Sequence, residues 1–290
     1  MSLPNPKSND RKKISEIKNL PVLPRIAKQL LNLKDDENAG VIQLTQVIGS
    51  DPVLAAQFLK ASNAAFFVNA REITSLEAAI NRIGFSMVLN IALASCINQT
   101  FDIPKEGPIG MRSLWQNALY SGILMHLIAN KIPQSLNINR DTAYLCGLLH
   151  NIGFIILGDQ FREEFNLINN NLQSSNKTLV ELEDAYLGIS HCELGVLLMR
   201  NWGLPAEIVT AAFAHHNETY KGQHWQYASM AYLCDYLLKD LAISDMSKVV
   251  VPDKAMENLH LNEADLQEML DKLNEQREAI NQLVDSLFSG

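Results

Sequence analysis

Residues 73–98, ITSLEAAINRIGFSMVLNIALASCIN, read as two consecutive helices and set the fold class. Thr74 and Glu77 have capping-box spacing, with Ala78, Ile80 and Ile83 following at helical intervals. Gly84 closes the first helix. The second runs from Ser86 to Asn98 and is apolar on nearly every side. Two short helices joined at a glycine also suggest a DNA-reading motif. A recognition helix needs Arg, Lys, Asn or Gln for base edges and phosphates. SMVLNIALASCIN offers almost none, so it reads as core.

The same periodicity extends in both directions. Upstream, Ile26, Leu30, Leu31 and Leu33 mark one helix, and Val41, Leu44, Val47 and Ile48 another. Asp51-Pro52 starts a third: the carboxylate caps free N–H groups and proline at the first position gives up no bond. Phe66 and Phe67 at its far end are expected to pack on a neighbouring helix. Downstream, IPKEGPIG (103–110) carries two prolines and two glycines and is the best internal boundary. Helices are then expected near 112–131, 141–151, 159–171, 178–188, 191–202, 205–216 and 223–240. VVVP (249–252) is β-branched and reads as a short strand or an extended linker. The charges of the tail, from Glu263 to Arg277, read as a solvated face. No run alternates with period two, so the expected fold is all-α. The expected divisions are a flexible N-terminus (1–17), a helical bundle (18–103), a linker (104–111), a second multi-helix subdomain (112–245) on which the bundle packs, and a helical tail (246–290).

Composition narrows the function. The chain has 290 residues with Lys+Arg 24 against Asp+Glu 32, a net charge of −8. An acidic chain without basic blocks lacks the electrostatic attraction that dominates nucleic-acid binding. No signal peptide is read in MSLPNPKSNDRKK. The apolar run Leu145–Leu157 is too short for a bilayer, which needs about 20 residues. Cys96, Cys146, Cys192 and Cys234 form no C-x-x-C pair and sit in apolar helical surroundings, as reduced small hydrophobes. A cytoplasmic protein is expected, with no nucleic acid or membrane partner; a homo-oligomer is compatible with this reading.

Four of the seven histidines stand out. His150 ends an apolar helix, LCGLLHNIG, with Gly153 as its stop. His191 begins a helix whose inward face includes Leu194, Leu197 and Leu198. His215 and His216 end EIVTAAFAHH. Asp235 shares a helical face with Ala228, Ala231 and Tyr232, and a carboxylate there needs a partner. Two readings stay open: imidazole and carboxylate ligands for Mn, Fe, Zn or Mg, or hydrogen-bonded core residues.

LCGLLHNIG resembles the His-Asp motif of the HD superfamily of metal-dependent phosphohydrolases. HCELGVLLMRNWGLPAEIVTAAFAHHN (191–217) resembles the downstream part of its HDOD branch. LPVLPRIAKQLLNL, IGSDPVLAAQFLKASNAAFF and ITSLEAAINRIGFSMVLNIAL are similar to the HDOD N-terminal bundle, so the resemblance covers about residues 18–240. It implies an all-α bundle with an HD-like subdomain and a bacterial signalling role through protein partners. With nothing in 290 residues reading as a receiver, cyclase or DNA-binding module, input and output are expected from other chains. It also implies what is lost. Asn151 stands where the HD enzymes have Asp, and Asn117 where they bring an earlier His. Phe154 stands where the cyclic-di-GMP-hydrolysing relatives have Lys, and NETYKGQ replaces their GYP signature. His126 cannot replace the lost ligand, because nine residues along a helix from Asn117 put it on the opposite face. His150, His191, His215, His216 and Asp235 remain. The expectation is a catalytically degenerate HD-like site with no required cofactor. The alternatives are one divalent ion held by the remaining residues, or a divalent-metal phosphohydrolase acting on a nucleotide or phosphodiester.

Overall fold

The computed structural model describes residues 20–34, 36, 38–65, 73–104, 107–172, 174, 177–239 and 252–288. Among these residues every regular element is a helix, as the period-3.6 pattern predicts. Phe66, Phe67 and most of VVVP lie outside the described residues. The chain divides into two compact units, one of residues 22–102 with 275–290 and one of residues 1–21 with 103–274.

The first unit begins with α1 (Arg25–Lys34), α2 (Val41–Gly49), α3 (Pro52–Ala65), α4 (Leu76–Ile83) and α5 (Phe85–Asn98). α3 starts as Asp51-Pro52 predicts, with Asp51 Oδ1 accepting from Val53 N at 2.9 Å and Leu54 N at 3.1 Å. The cap of α4 is shifted by one residue. Ser75, not Thr74, is the N-cap, and its side chain accepts from Ala78 N. Gly84 turns the chain at φ 98, a region that side-chain-bearing residues avoid. α5 is the core of this unit: every residue from Val88 to Ile97 is buried, which leaves no face to read DNA. Asn63 ties the end of α3 to the chain entering α4, donating to Ile73 O and accepting from Ile73 N at 2.7 Å.

The second unit starts with α6 (Met111–Lys131), α7 (Arg140–Leu149), α8 (Gly153–Gln160), α9 (Arg162–Asn171) and α10 (Leu179–Tyr186). It continues with α11 (His191–Asn201), α12 (Ala206–Ala214), α13 (Trp225–Leu238), α14 (Asp253–Leu259) and α15 (Glu263–Glu275). Gly153 does not end a helix; it opens α8, which the sequence reading missed. The apolar stretch is also longer than Leu145–Leu157. Residues 140–160 together are long and apolar enough to span a membrane, but 89% of their 18-residue apolar window is buried inside the fold. α11 and α10 begin with capping boxes, Ser190 with Glu193 and Thr178 with Glu181. The last helix, α16 (Arg277–Phe288), packs along α3 and so belongs with the first unit.

Two backbone approaches set the helix spacing in the second unit. A Cβ on Gly147 would lie 2.4 Å from Ser121 O, so α7 crosses α6 with nothing between the chains. A Cβ on Gly153 would lie 1.8 Å from His191 O and 2.8 Å from Gly195 N, so α8 meets the start of α11 in the same way. These crossings bring residues 117, 150–151 and 191 into one neighbourhood.

Candidate functional site

His150 is the C-cap of α7, His191 the first residue of α11, and His215 the C-cap of α12. Two helix C-termini therefore present their negative dipole ends here, which favours positive charge between them. All three imidazoles are buried to 1% exposure or less, as is Asp235 of α13.

Each of these rings is oriented through Nδ1. His150 Nδ1 donates to Gly147 O at 2.7 Å, and His215 Nδ1 to Ala212 O at 2.8 Å. His191 Nδ1 donates to the Glu183 carboxylate at 2.8 and 2.9 Å, and Glu183 also accepts from the His191 backbone N–H. A ring that donates from Nδ1 presents the lone pair of Nε2. Metal-ligating histidines are held this way, by a carbonyl or carboxylate behind the ring.

The Nε2 atoms converge. His191 Nε2 lies 3.2 Å from His215 Nε2 and 3.1 Å from His216 Nε2, and Cys192 Sγ lies 3.4 Å from His191 Nε2. Lone pairs so close repel unless a cation, proton or metal, sits among them. His191, Cys192, His215 and His216 form one group able to hold a metal ion; His150, His215 and Asp235 form a second, sharing His215. His150 Nε2 is 3.5 Å from Asp235 Oδ1. Neither Asp235 oxygen has a hydrogen-bond partner among the described residues. An orphaned buried carboxylate beside imidazole lone pairs fits a divalent cation, because such a charge is stable only when paired or ligating.

The protonation chemistry agrees with this crowding. Burial alone would lower the His191 pKa, but the Cys192 and Glu183 charges outweigh it and raise the value to about 9. Burial pushes the Cys192 thiol up, yet His191 and His216 more than offset this and hold it below its ordinary value.

The structure brings together all the sequence-selected residues. Asn117 and Asn151 are adjacent too: Asn151 Nδ2 donates to Asn117 Oδ1 at 3.1 Å. Phe154 lies flat on His191, with ring centroids 4.2 Å apart and planes at 17°. His126 belongs to neither ligand group. Two residues were missed. Glu183 follows Leu179 and Leu182 at inward helical spacing, and that spacing is the signal that could have found it. Cys192 was read as a small hydrophobe. Leu197, expected on the inward face of α11, is only half-buried, while Cys192 and Gly195 are buried.

Comparison with known proteins places this architecture. A candidate signal transduction protein from Marinobacter aquaeolei VT8 is 28% identical, with a TM-score of 0.86 over 97% of this chain and 66% of that one. An HDOD domain protein of unknown function from Geobacter sulfurreducens matches at TM-score 0.76 and 22% identity, covering 96% and 97% of the two chains. A candidate metal-dependent phosphohydrolase from Shewanella amazonensis SB2B has the same fold at TM-score 0.60 and 18% identity, covering 96% and 95%. An uncharacterized protein of Treponema pallidum (strain Nichols) is 22% identical over 205 residues. The chain spans 38% of that protein's length and covers 69% of its own. The HDOD domain profile matches residues 20–218, and the chain belongs to the HDOD domain family.

Proposed function

We propose that this protein is a cytoplasmic signalling module that works by contacting other proteins, and that its HD-like site does not hydrolyse phosphoesters. The observation that carries the second half is the Asn151–Asn117 hydrogen bond at 3.1 Å. A two-metal hydrolase uses a carboxylate to neutralise and bridge its cations beside the attacking water. Here a neutral amide donates to another neutral amide at the positions that the family resemblance assigns to that Asp and to an additional His. Phe154, 2% exposed, covers a face of His191 with apolar surface. Family membership, the net charge of −8 and the signal-transduction description of the Marinobacter protein support the signalling half.

His191, His215 and His216, or His150, His215 and Asp235, would hold a divalent ion. Bound to the first set, it would tie the start of α11 to the end of α12; bound to the second, it would neutralise the Asp235 carboxylate and tie the ends of α7 and α12 to α13. The second reading, a metal-dependent phosphohydrolase, is favoured by the orphaned Asp235 oxygens. The test is turnover of phosphodiester and phosphomonoester substrates by the purified chain with Mn, Mg or Fe added. No turnover is expected. Turnover abolished by His150→Ala and by Asp235→Ala would establish the hydrolase instead.

A further inference from the structure

We infer that Cys192 Sγ, with Nε2 of His191, His215 and His216, ligates one thiophilic divalent cation of the zinc class. The HD-type resemblance accounts for the imidazoles and Asp235. It does not account for a sulfur among them.

Three of the separations match the edges of a tetrahedral set. Zinc bonds of about 2.0–2.1 Å to nitrogen and about 2.3 Å to sulfur put ligand nitrogens about 3.3 Å apart, and nitrogen and sulfur about 3.6 Å apart. The N–N separations here are 3.1 and 3.2 Å, and the His191 N–S separation is 3.4 Å. Cys192 Sγ is 4.0 Å from His215 Nε2, about 0.4 Å longer than that edge. All four ligand atoms lie within 4.8 Å of one another. Glu183 and the Ala212 carbonyl hold two rings by Nδ1, so both Nε2 lone pairs already face inward. His216 is half-buried while the other three are buried, which leaves one side for entry.

The remaining cysteines differ. Cys96, Cys146 and Cys234 are buried and outside any disulfide as well, but none belongs to a ligand group among the described residues. A His₃Cys set with four protein ligands is closed, which is the pattern of structural rather than catalytic zinc. Thiolate also shifts preference from Mg and Mn toward Zn and other softer ions. The inference stands apart from the non-hydrolytic reading: turnover decides that one, and sulfur coordination this one.

The test uses the full chain, stripped of metal and titrated with Co(II). One equivalent should produce a thiolate-to-cobalt charge-transfer band in the near ultraviolet, with visible bands of tetrahedral intensity. Cys192→Ser should lose the near-ultraviolet band, and Cys146→Ser should keep it. X-ray absorption of the zinc-loaded wild-type chain should show one sulfur at about 2.3 Å. That measurement needs no variant and decides the matter if Cys192→Ser does not fold. Cobalt bound without the band, the band retained in Cys192→Ser, a zinc shell without sulfur, or no binding of either ion would each overturn the inference. Sulfur coordination together with phosphoester turnover would leave it standing and sink only the non-hydrolytic reading.

Discussion

The side-chain amide of Asn151 donates to the side-chain carbonyl of Asn117 across 3.1 Å, with both residues buried. One residue follows the C-cap of α7 and the other lies within α6. The Gly147–Ser121 crossing puts them face to face. Two neutral amides stand beside His150 where the family resemblance expects a carboxylate and an imidazole.

This pair predicts the effect of restoring a carboxylate. Asn151→Asp replaces the donor with an acceptor facing Asn117 Oδ1 and leaves a buried group unsatisfied. Metal-free Asn151→Asp should lose about 1–3 kcal/mol at neutral pH. Urea unfolding of the two proteins measures it. An unchanged midpoint would mean that the amide bond carries no stability.

The close approach at Gly153 predicts a larger and more specific defect. The Cβ of Gly153→Ala would meet backbone on α11, which cannot turn aside as a side chain would. Overpacking of this kind costs about 1–3 kcal/mol, and it should also push His191 out of register and weaken binding of Zn or Co. Gly49→Ala is the contrast, since its Cβ would meet only Leu76 Cδ1 at 3.7 Å. Paired denaturation and metal titrations of the two variants should separate them.

Glu183 predicts a positioning effect. Its carboxylate orients His191 through Nδ1 and the backbone N–H but touches no ligand atom of the proposed cation. Loss of such a supporting carboxylate typically costs 10–100-fold in metal affinity. Glu183→Gln should therefore weaken Zn binding by about that factor while keeping the near-ultraviolet cobalt band at saturating metal. Loss of the band at saturation would count against a purely orienting role.

A pH dependence follows from the surface of α15. Side-chain hydrogen bonds from Lys131 and Lys272 lower the Glu268 carboxyl from 4.5 to about 2. A depressed carboxylate contributes stability above its unfolded pKa and loses it as pH falls through the folded value. The difference in melting temperature between wild type and Lys131→Met should be present at neutral pH, shrink below about pH 4.5 and vanish near about pH 2. The pair is exposed, so high salt should reduce the difference as well. A difference independent of both pH and salt would point to packing of the lysine stem.

The residues differ in how much of this was legible. α5 was readable because an unbroken apolar helix has one stable place, the core. The Asp51-Pro52 start was readable because capping is local. The Ser75 cap was misplaced by one residue because Thr74 and Ser75 are both competent and only backbone geometry chooses. Gly153 was misread as a stop because close backbone approach and helix termination use the same residue. The sequence reading stopped at Cys192 as a small hydrophobe, because a thiol among apolar neighbours looks the same in sequence whatever its Sγ faces in the fold.

By itself the sequence determined the helical class, the extent of most helices and the four histidines and one aspartate worth watching, because these follow from periodicity and residue chemistry along the chain. Tertiary structure decided what faces what. The glycine crossings bring α6 and α7, and α8 and α11, into backbone contact. Partners behind the rings turn the Nε2 atoms toward one point, and Cys192 stands beside them. Those relations depend on distances between residues far apart in the chain, which no local pattern encodes.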